Sequence, residues 1–188
     1  MSLKRWRRLT TTIRDRNPFW TYKVDQYEIP DHKTGEYYYV HTPGSVFVVP
    51  FRMDQVLLVR QYRYLNDRFS WEFPGGGMEV NETPAARAEQ ELIEETGFTG
   101  DLQPLGTFNP FNGITDEICH VFLARNLVHS SACQPDDTEE FETRWTSISE
   151  LEDMIGSNKL FDGMTLAAWS IVRPTIQIEN RGISNDTA

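Results

Sequence analysis

The run GGGMEVNETPAARAEQELIEETGF, residues 75–98, joins a glycine turn to a helix with both ends marked. Thr83 is placed to cap it, Pro84 takes the first helical position, and Gly97 follows the last turn. At about 100° per residue, Ala85, Ala88 and Leu92 share one face, which predicts packing on a sheet. Glu91, Glu94 and Glu95 share another face, and Glu82 stands just before the cap. Carboxylates three and four residues apart repel by a few tenths of a kcal/mol (roughly 0.2–0.5 per pair). They also lie toward the helix C-terminus, where the macrodipole disfavours negative charge. A solvated face is the ordinary reading of a charge run. Here the face is narrow and a glycine loop precedes it, which points instead to acids neutralised by a hard divalent cation. Magnesium prefers oxygen ligands together with a substrate phosphate, so the pattern predicts a metal site for phosphate chemistry.

Outward from this helix the chain reads mostly as strands. Tyr22–Ile29, Tyr37–Thr42, Ser45–Pro50, Val56–Tyr64 and Trp71–Phe73 precede it, with a hairpin-type connection at Asp31-His32-Lys33-Thr34-Gly35. Gln103–Asn109, Glu117–Arg125 and Glu142–Ser147 follow as strands. Helical patterns are predicted at Ile148–Ile155 and Met164–Arg173, the latter stopped by Pro174. Many strands and a few helices, one of them mid-chain, predict an α+β fold of the α/β/α sandwich kind.

Of 188 residues, 39% are hydrophobic and 24% charged, which fits one core-bearing domain with an added arm. Residues 1–44 are expected as an arm with antiparallel strands, 45–178 as the catalytic domain, and 179–188 as a flexible tail. No apolar run reaches the roughly 18 residues of a membrane span, and the opening MSLKRWRRLTTTIRDR lacks the apolar middle of a secretory signal. The net charge of −10 is uneven: residues 1–16 carry six basic groups against Asp15, and the remainder is strongly acidic. That acidic body argues against nucleic acid as a partner, and the basic arm is expected to lie on an acidic neighbouring subunit. Cys119 and Cys133 have no metal spacing and suggest a reducing, cytoplasmic setting. The four histidines have no paired spacing and read as structural or exposed rather than as ligands.

Gly76, Glu82, then Gln90-Glu91-Leu92-Ile93-Glu94-Glu95-Thr96-Gly97-Phe98 follow the pattern G-x5-E-x7-R-E-U-x-E-E-x-G-U, in which U is a bulky apolar residue. This stretch resembles the box of the Nudix hydrolase family at every fixed position except Gln90, where the family has arginine. Trp71-Glu72-Phe73-Pro74-Gly75-Gly76, Val59-Arg60-Gln61-Tyr62-Arg63 and Phe108–Gly113 with Asp116-Glu117 resemble the flanks of the box in the ADP-ribose and nucleoside diphosphate sugar pyrophosphatase branch. The likeness runs from about residue 20 to 175 and implies a Nudix-type mixed sheet with a catalytic strand-loop-helix.

The resemblance implies Glu91 and Glu95 as main metal ligands, with Glu94 completing the cluster and the Gly75 carbonyl as a further ligand. The metal would be magnesium, with manganese as a substitute. Arg63 and Arg60 lie on the strand that resembles the phosphate-contacting one. Arg63 has the plain alternative of a surface charge, and Glu72 that of a structural acid. Trp20 is a candidate for stacking a nucleobase, with core packing or a dimer contact as the alternative. The catalytic base resembles an acid on a late loop, here Glu139 first, then Glu140 and Asp137, with solvation as the alternative. The implied reaction is metal-dependent hydrolysis of ADP-ribose or a nucleoside diphosphate sugar to a nucleoside monophosphate and a sugar phosphate. Removal of pyrophosphate from an RNA 5′ end, or a ligand-sensing module that does not cut, are the alternatives. The branch exchanges early strands between subunits, which together with the charge asymmetry implies a homodimer.

Overall fold

The computed structural model describes residues 3–30, 32–130 and 142–185. By contacts, the chain separates into two compact units: Met1–Gly44 with Asn109–Ile118, and Ser45–Phe108 with Cys119–Ala188.

The first unit is a three-stranded antiparallel sheet in the order β1 (Arg7–Arg16), β2 (Thr21–Glu28), β3 (Thr34–His41). The sequence suggested only a basic arm for the first of these. Its run Leu9-Thr10-Thr11-Thr12-Ile13 is rich in β-branched residues that suit a pleated surface. Arg7 pairs with Glu28 at 2.7 Å, and the Thr11 hydroxyl donates to Asp25 at 2.6 Å, so these partners come from the same chain. The segment Asn109–Ile118 is tied to β3: the Val40 N–H donates to the Ile114 carbonyl at 2.8 Å, and His41 Nδ1 lies 2.8 Å from Asp116 Oδ2. Val24 is buried, while Trp6, Ile13, Phe19 and Tyr38 are exposed.

The second unit is a mixed sheet in the order β10 (Glu142–Ser147), β5 (Gln55–Arg63), β4 (Ser45–Arg52), β9 (Cys119–His129), β8 (Phe98–Phe108). Two short strands attach to it, β6 (Arg68–Glu72) on β5 and β7 (Gly75–Gly77) on β4. β4 runs parallel to β9 and antiparallel to β5 and β7. Both faces are covered, so β4 is a continuous apolar run rather than a half-buried alternation. Val46 and Val48 face one way and pack with Ala88 and Leu92 of α1 (Pro84–Thr96). Phe47 and Val49 face the other way, toward Leu151 and Met154 of α2 (Ile148–Gly156) and Ala168, Trp169, Val172 and Ile176 of α3 (Gly163–Asn185). This is the expected helix–sheet–helix sandwich.

Two expectations are corrected. Pro174 does not stop α3, which continues to Asn185 across the start of the stretch expected as a tail. Pro174 lacks an N–H and crowds the preceding turn. Val172 and Ile176 are nevertheless fully buried on either side of it, and this packing overrides the local cost. Ala85, expected on the sheet-facing side of α1, is exposed, because the first turn projects past the surface that Ala88 and Leu92 cover.

Candidate active site

The site grows from the junction of β7 and α1. β7 hydrogen-bonds along β4, with Phe47 opposite Gly75 and Val46 opposite Gly76, which fixes the glycine loop to the centre of the sheet. The helix then starts and stops as its sequence dictates. Thr83 Oγ accepts the Ala86 N–H at 3.3 Å, and Gly97 adopts φ 71° with its N–H on the Ile93 carbonyl at 2.9 Å.

With Ala88 and Leu92 anchored, the next strip of the helix faces the glycine loop. Glu91 and Glu95 are only 5% and 8% exposed, which removes them from the solvated-face reading. Glu95 Oε2 accepts the Gly75 N–H at 3.1 Å. Glu91 Oε1 lies over Gly76 so closely that a β-carbon at 76 would stand 2.0 Å from it. Arg87, one turn before, is ion-paired with Glu91. Glu94 is half-buried and accepts the Gln90 side-chain amide at 2.9 Å. Glu82 turns to the loop instead, where its carboxylate accepts the Glu79 N–H at 2.9 Å.

A second charged pair lies beside these acids. Glu72, 1% exposed at the end of β6, is held bidentately by Arg63 from the end of β5, with Nε to Oε1 at 2.8 Å. The Glu72 hydrogen bonds push the Arg63 pKa up, and the nearby charges of Asp162 and Glu95 push the same way. The charge of Glu95 on α1 thus acts on Arg63, though less than that of Glu72. Sequence spacing showed Arg63 and Glu72 separately. The β5–β6 register sets Glu72 opposite Val59 and Arg63 opposite Arg68, so Arg63 meets Glu72 by reaching back along its own face of β5.

The remaining sequence candidates are placed elsewhere. Arg60, three residues from Arg63, projects to the opposite face by strand alternation. There it stacks over Phe69 at 4.6 Å and donates to Glu142 at 2.9 Å. Trp20 belongs to the three-stranded unit, between β1 and β2, where its backbone N–H donates to Asn17. Asp137, Glu139 and Glu140 lie outside the described residues. A cleft of about 660 Å³ is lined by Trp71, Arg144, Glu150, Asp153, Met154, Ser157 and Lys159, on the α2 side of the sheet and away from Glu72.

Among the described residues no group of three His, Cys, Asp or Glu side chains forms a ready-made metal cage. The arrangement fits magnesium-type binding nonetheless. That ion takes one or two carboxylates and completes its shell with water and substrate phosphate, not with an all-protein cage. Two buried carboxylates would supply such a donor set: Glu95 beside the Gly75 N–H, and Glu91 over Gly76, whose missing side chain makes the room.

A model of the NUDIX domain matches residues 41–164. The chain belongs to the Nudix family. Its curated relatives include the CMP-5'-(N-acetyl-N-hydroxy-3-aminopropyl)phosphonate hydrolase of Streptomyces rubellomurinus, 32% identical over 145 residues, 75% of this chain and 69% of that protein. The ADP-ribose pyrophosphatase of Bacillus subtilis is 32% identical over 148 residues, 77% of this chain and 80% of that protein. The methanol dehydrogenase activator of Bacillus methanolicus is 30% identical over 149 residues, with 78% and 80% covered. Among solved structures, an ADP compounds hydrolase superposes with a TM-score of 0.83 at 21% identity, covering 96% of this chain and 99% of the other, which shows a shared fold. This Nudix chain is therefore a pyrophosphohydrolase similar to the ADP-ribose pyrophosphatase of Bacillus subtilis, and Nudix hydrolases generally use divalent metal ions. Among its described residues, no helix is long and apolar enough to cross a membrane.

Proposed function

We propose that this Nudix enzyme hydrolyses the phosphoanhydride of ADP-ribose or a related nucleoside diphosphate sugar, with magnesium, giving a nucleoside monophosphate and a sugar phosphate. The observation that carries the reading is the burial of Glu91 and Glu95 against the Gly75-Gly76 backbone, beside the Arg63–Glu72 pair. An enzyme of ADP-ribose and one of a CMP-linked phosphonate among the relatives support a nucleotide anhydride as substrate. The RNA alternative has less support, because the body of the chain outside residues 1–16 is strongly acidic.

Glu91 and Glu95 would hold the ion, with Glu94 and the Gly75 carbonyl completing the protein's share, and manganese would substitute. When bound, the ion would supply positive charge to offset that of the diphosphate during in-line attack. Arg63 holds a phosphate oxygen through its Nη1 edge, which has no acceptor among the described residues, while Glu72 fixes the plane of the guanidinium. Proton removal from the attacking water falls to Glu139, Glu140 or Asp137, with Glu94 as the alternative on the helix. Trp20 is the candidate for stacking a nucleobase, whereas Arg60, engaged with Phe69 and Glu142 on the other face of β5, is set aside.

Residues 1–44 form the dimer-building part in this proposal and 45–178 the catalytic part, in a reducing, cytoplasmic setting. The homodimer is supported by the apolar surface of the N-terminal sheet, where Trp6 is 55%, Ile13 50% and Phe19 81% exposed. A panel of nucleoside diphosphate derivatives, coupled to a phosphatase that attacks only the monoester products, tests the reading. Magnesium-dependent phosphate release from ADP-ribose or a nucleoside diphosphate sugar is expected; release only from triphosphate RNA ends would replace it.

A further inference from the structure

Gln90 stands where the box pattern has arginine, and its neutral amide serves Glu94 alone. The cation of this helix sits one turn earlier. Arg87 Nη2 is paired with Glu91 Oε1, the two side chains being 20% and 6% exposed. The same oxygen faces Gly76, where a β-carbon would stand 2.0 Å away. Glu91 is therefore paired with a guanidinium from the preceding turn and lies close over Gly76 of the loop.

Helix geometry explains which acid is held. Residues 87 and 91 are one turn apart and share a face, whereas 90 and 91 are rotated by about 100°. A cation at position 90 reaches Glu94; a cation at 87 reaches Glu91. The pair is not an ordinary surface ion pair either. Arg87 Nε is buried and has no acceptor among the described residues, a donor that a merely stabilising surface pair would leave in water.

We propose that Arg87 is a positioning residue that fixes the Glu91 carboxylate for metal binding. The inference rests on the reading of Glu91 as a metal ligand. Its rivals carry different signs. A cation beside a metal site repels the metal, so by field alone its removal tightens metal binding. A role in stability alone leaves metal affinity unchanged. Positioning requires that removal weaken it.

The test is a titration of the full-length protein with manganese, the free ion read by electron paramagnetic resonance, for wild type, E91Q, R87M and R87K. R87M is expected to weaken manganese binding about 10–100-fold, the usual effect of losing a group that orients a ligand. R87K keeps the charge at the same spacing and is expected to lose less. Manganese binding in R87M as tight as wild type or tighter, with E91Q weakened, overturns the proposal while leaving the metal site in place. An equal loss in R87M and R87K overturns it as well. If E91Q itself binds like wild type, the reading of the metal site fails first. Should R87M not fold by circular dichroism, R87Q replaces it: weaker binding in R87Q than in R87K supports the clamp, and equal binding refutes it.

Discussion

A β-carbon at position 76 would lie 2.0 Å from Glu91 Oε1 and 2.8 Å from its carboxyl carbon, closer than any real contact. Gly76→Ala must therefore push the Glu91 side chain away from the loop. Displacements of about 1 Å at a catalytic group cost roughly 10²-fold, so turnover of Gly76→Ala should fall by about that factor while α1, judged by circular dichroism, persists. Glu91→Gln and Glu95→Gln keep shape and remove charge; each should lower magnesium-dependent turnover by roughly 10²–10⁴, several kcal/mol at about 1.4 per decade. Arg63→Ala leaves the buried Glu72 without its cation. Because Arg63 is half-exposed, the loss should sit at the low end for a broken buried pair, about 3 kcal/mol, readable in thermal unfolding. At this scale the acids were legible, because helical spacing and box pattern agree on Glu91 and Glu95. The Arg63–Glu72 pair was not, since it depends on the register of two strands joined by a turn.

The helix proposed to carry the chemistry is also the element whose ends were plainest in the sequence. Thr83, Pro84 and Gly97 act locally, and local signals survive in tertiary context. Thr83→Ala should cost about 1 kcal/mol in denaturant unfolding, through loss of one cap to the Ala86 N–H. α3 shows the opposite case. The proline argued for an end at residue 174, but the buried Ile176 beyond it holds the helix to the sheet. Pro174→Ala should therefore raise stability, by about 1–3 kcal/mol, as the missing backbone hydrogen bond is restored and ring crowding relieved; a lower midpoint would contradict the packing account. β1 was missed as a strand because its periodicity is masked by arginines, and the β-branched run at its centre was the available signal.

For the whole molecule, the alternation of Val46 and Val48 against Phe47 and Val49 places one sheet between two helical layers, with the acids of α1 on one side only. That one-sidedness follows from packing, and the sequence showed it only through the run of buried residues in β4. The N-terminal sheet is the part whose role composition could not decide, since a basic, aromatic strand suits a subunit contact as well as a ligand. Sedimentation at micromolar concentration should give twice the 21.8 kDa of the chain; a monomer that turns over substrate would remove the dimer from the account. The central claim, a metal-dependent anhydride hydrolase built on Glu91 and Glu95, is tested most directly by phosphorus NMR of ADP-ribose incubated with the enzyme. With magnesium, the diphosphate signals should give way to those of two phosphate monoesters, and the conversion should stop with chelator or in Glu91→Gln. Conversion at the same rate in chelator, or in Glu91→Gln and Glu95→Gln alike, would contradict it.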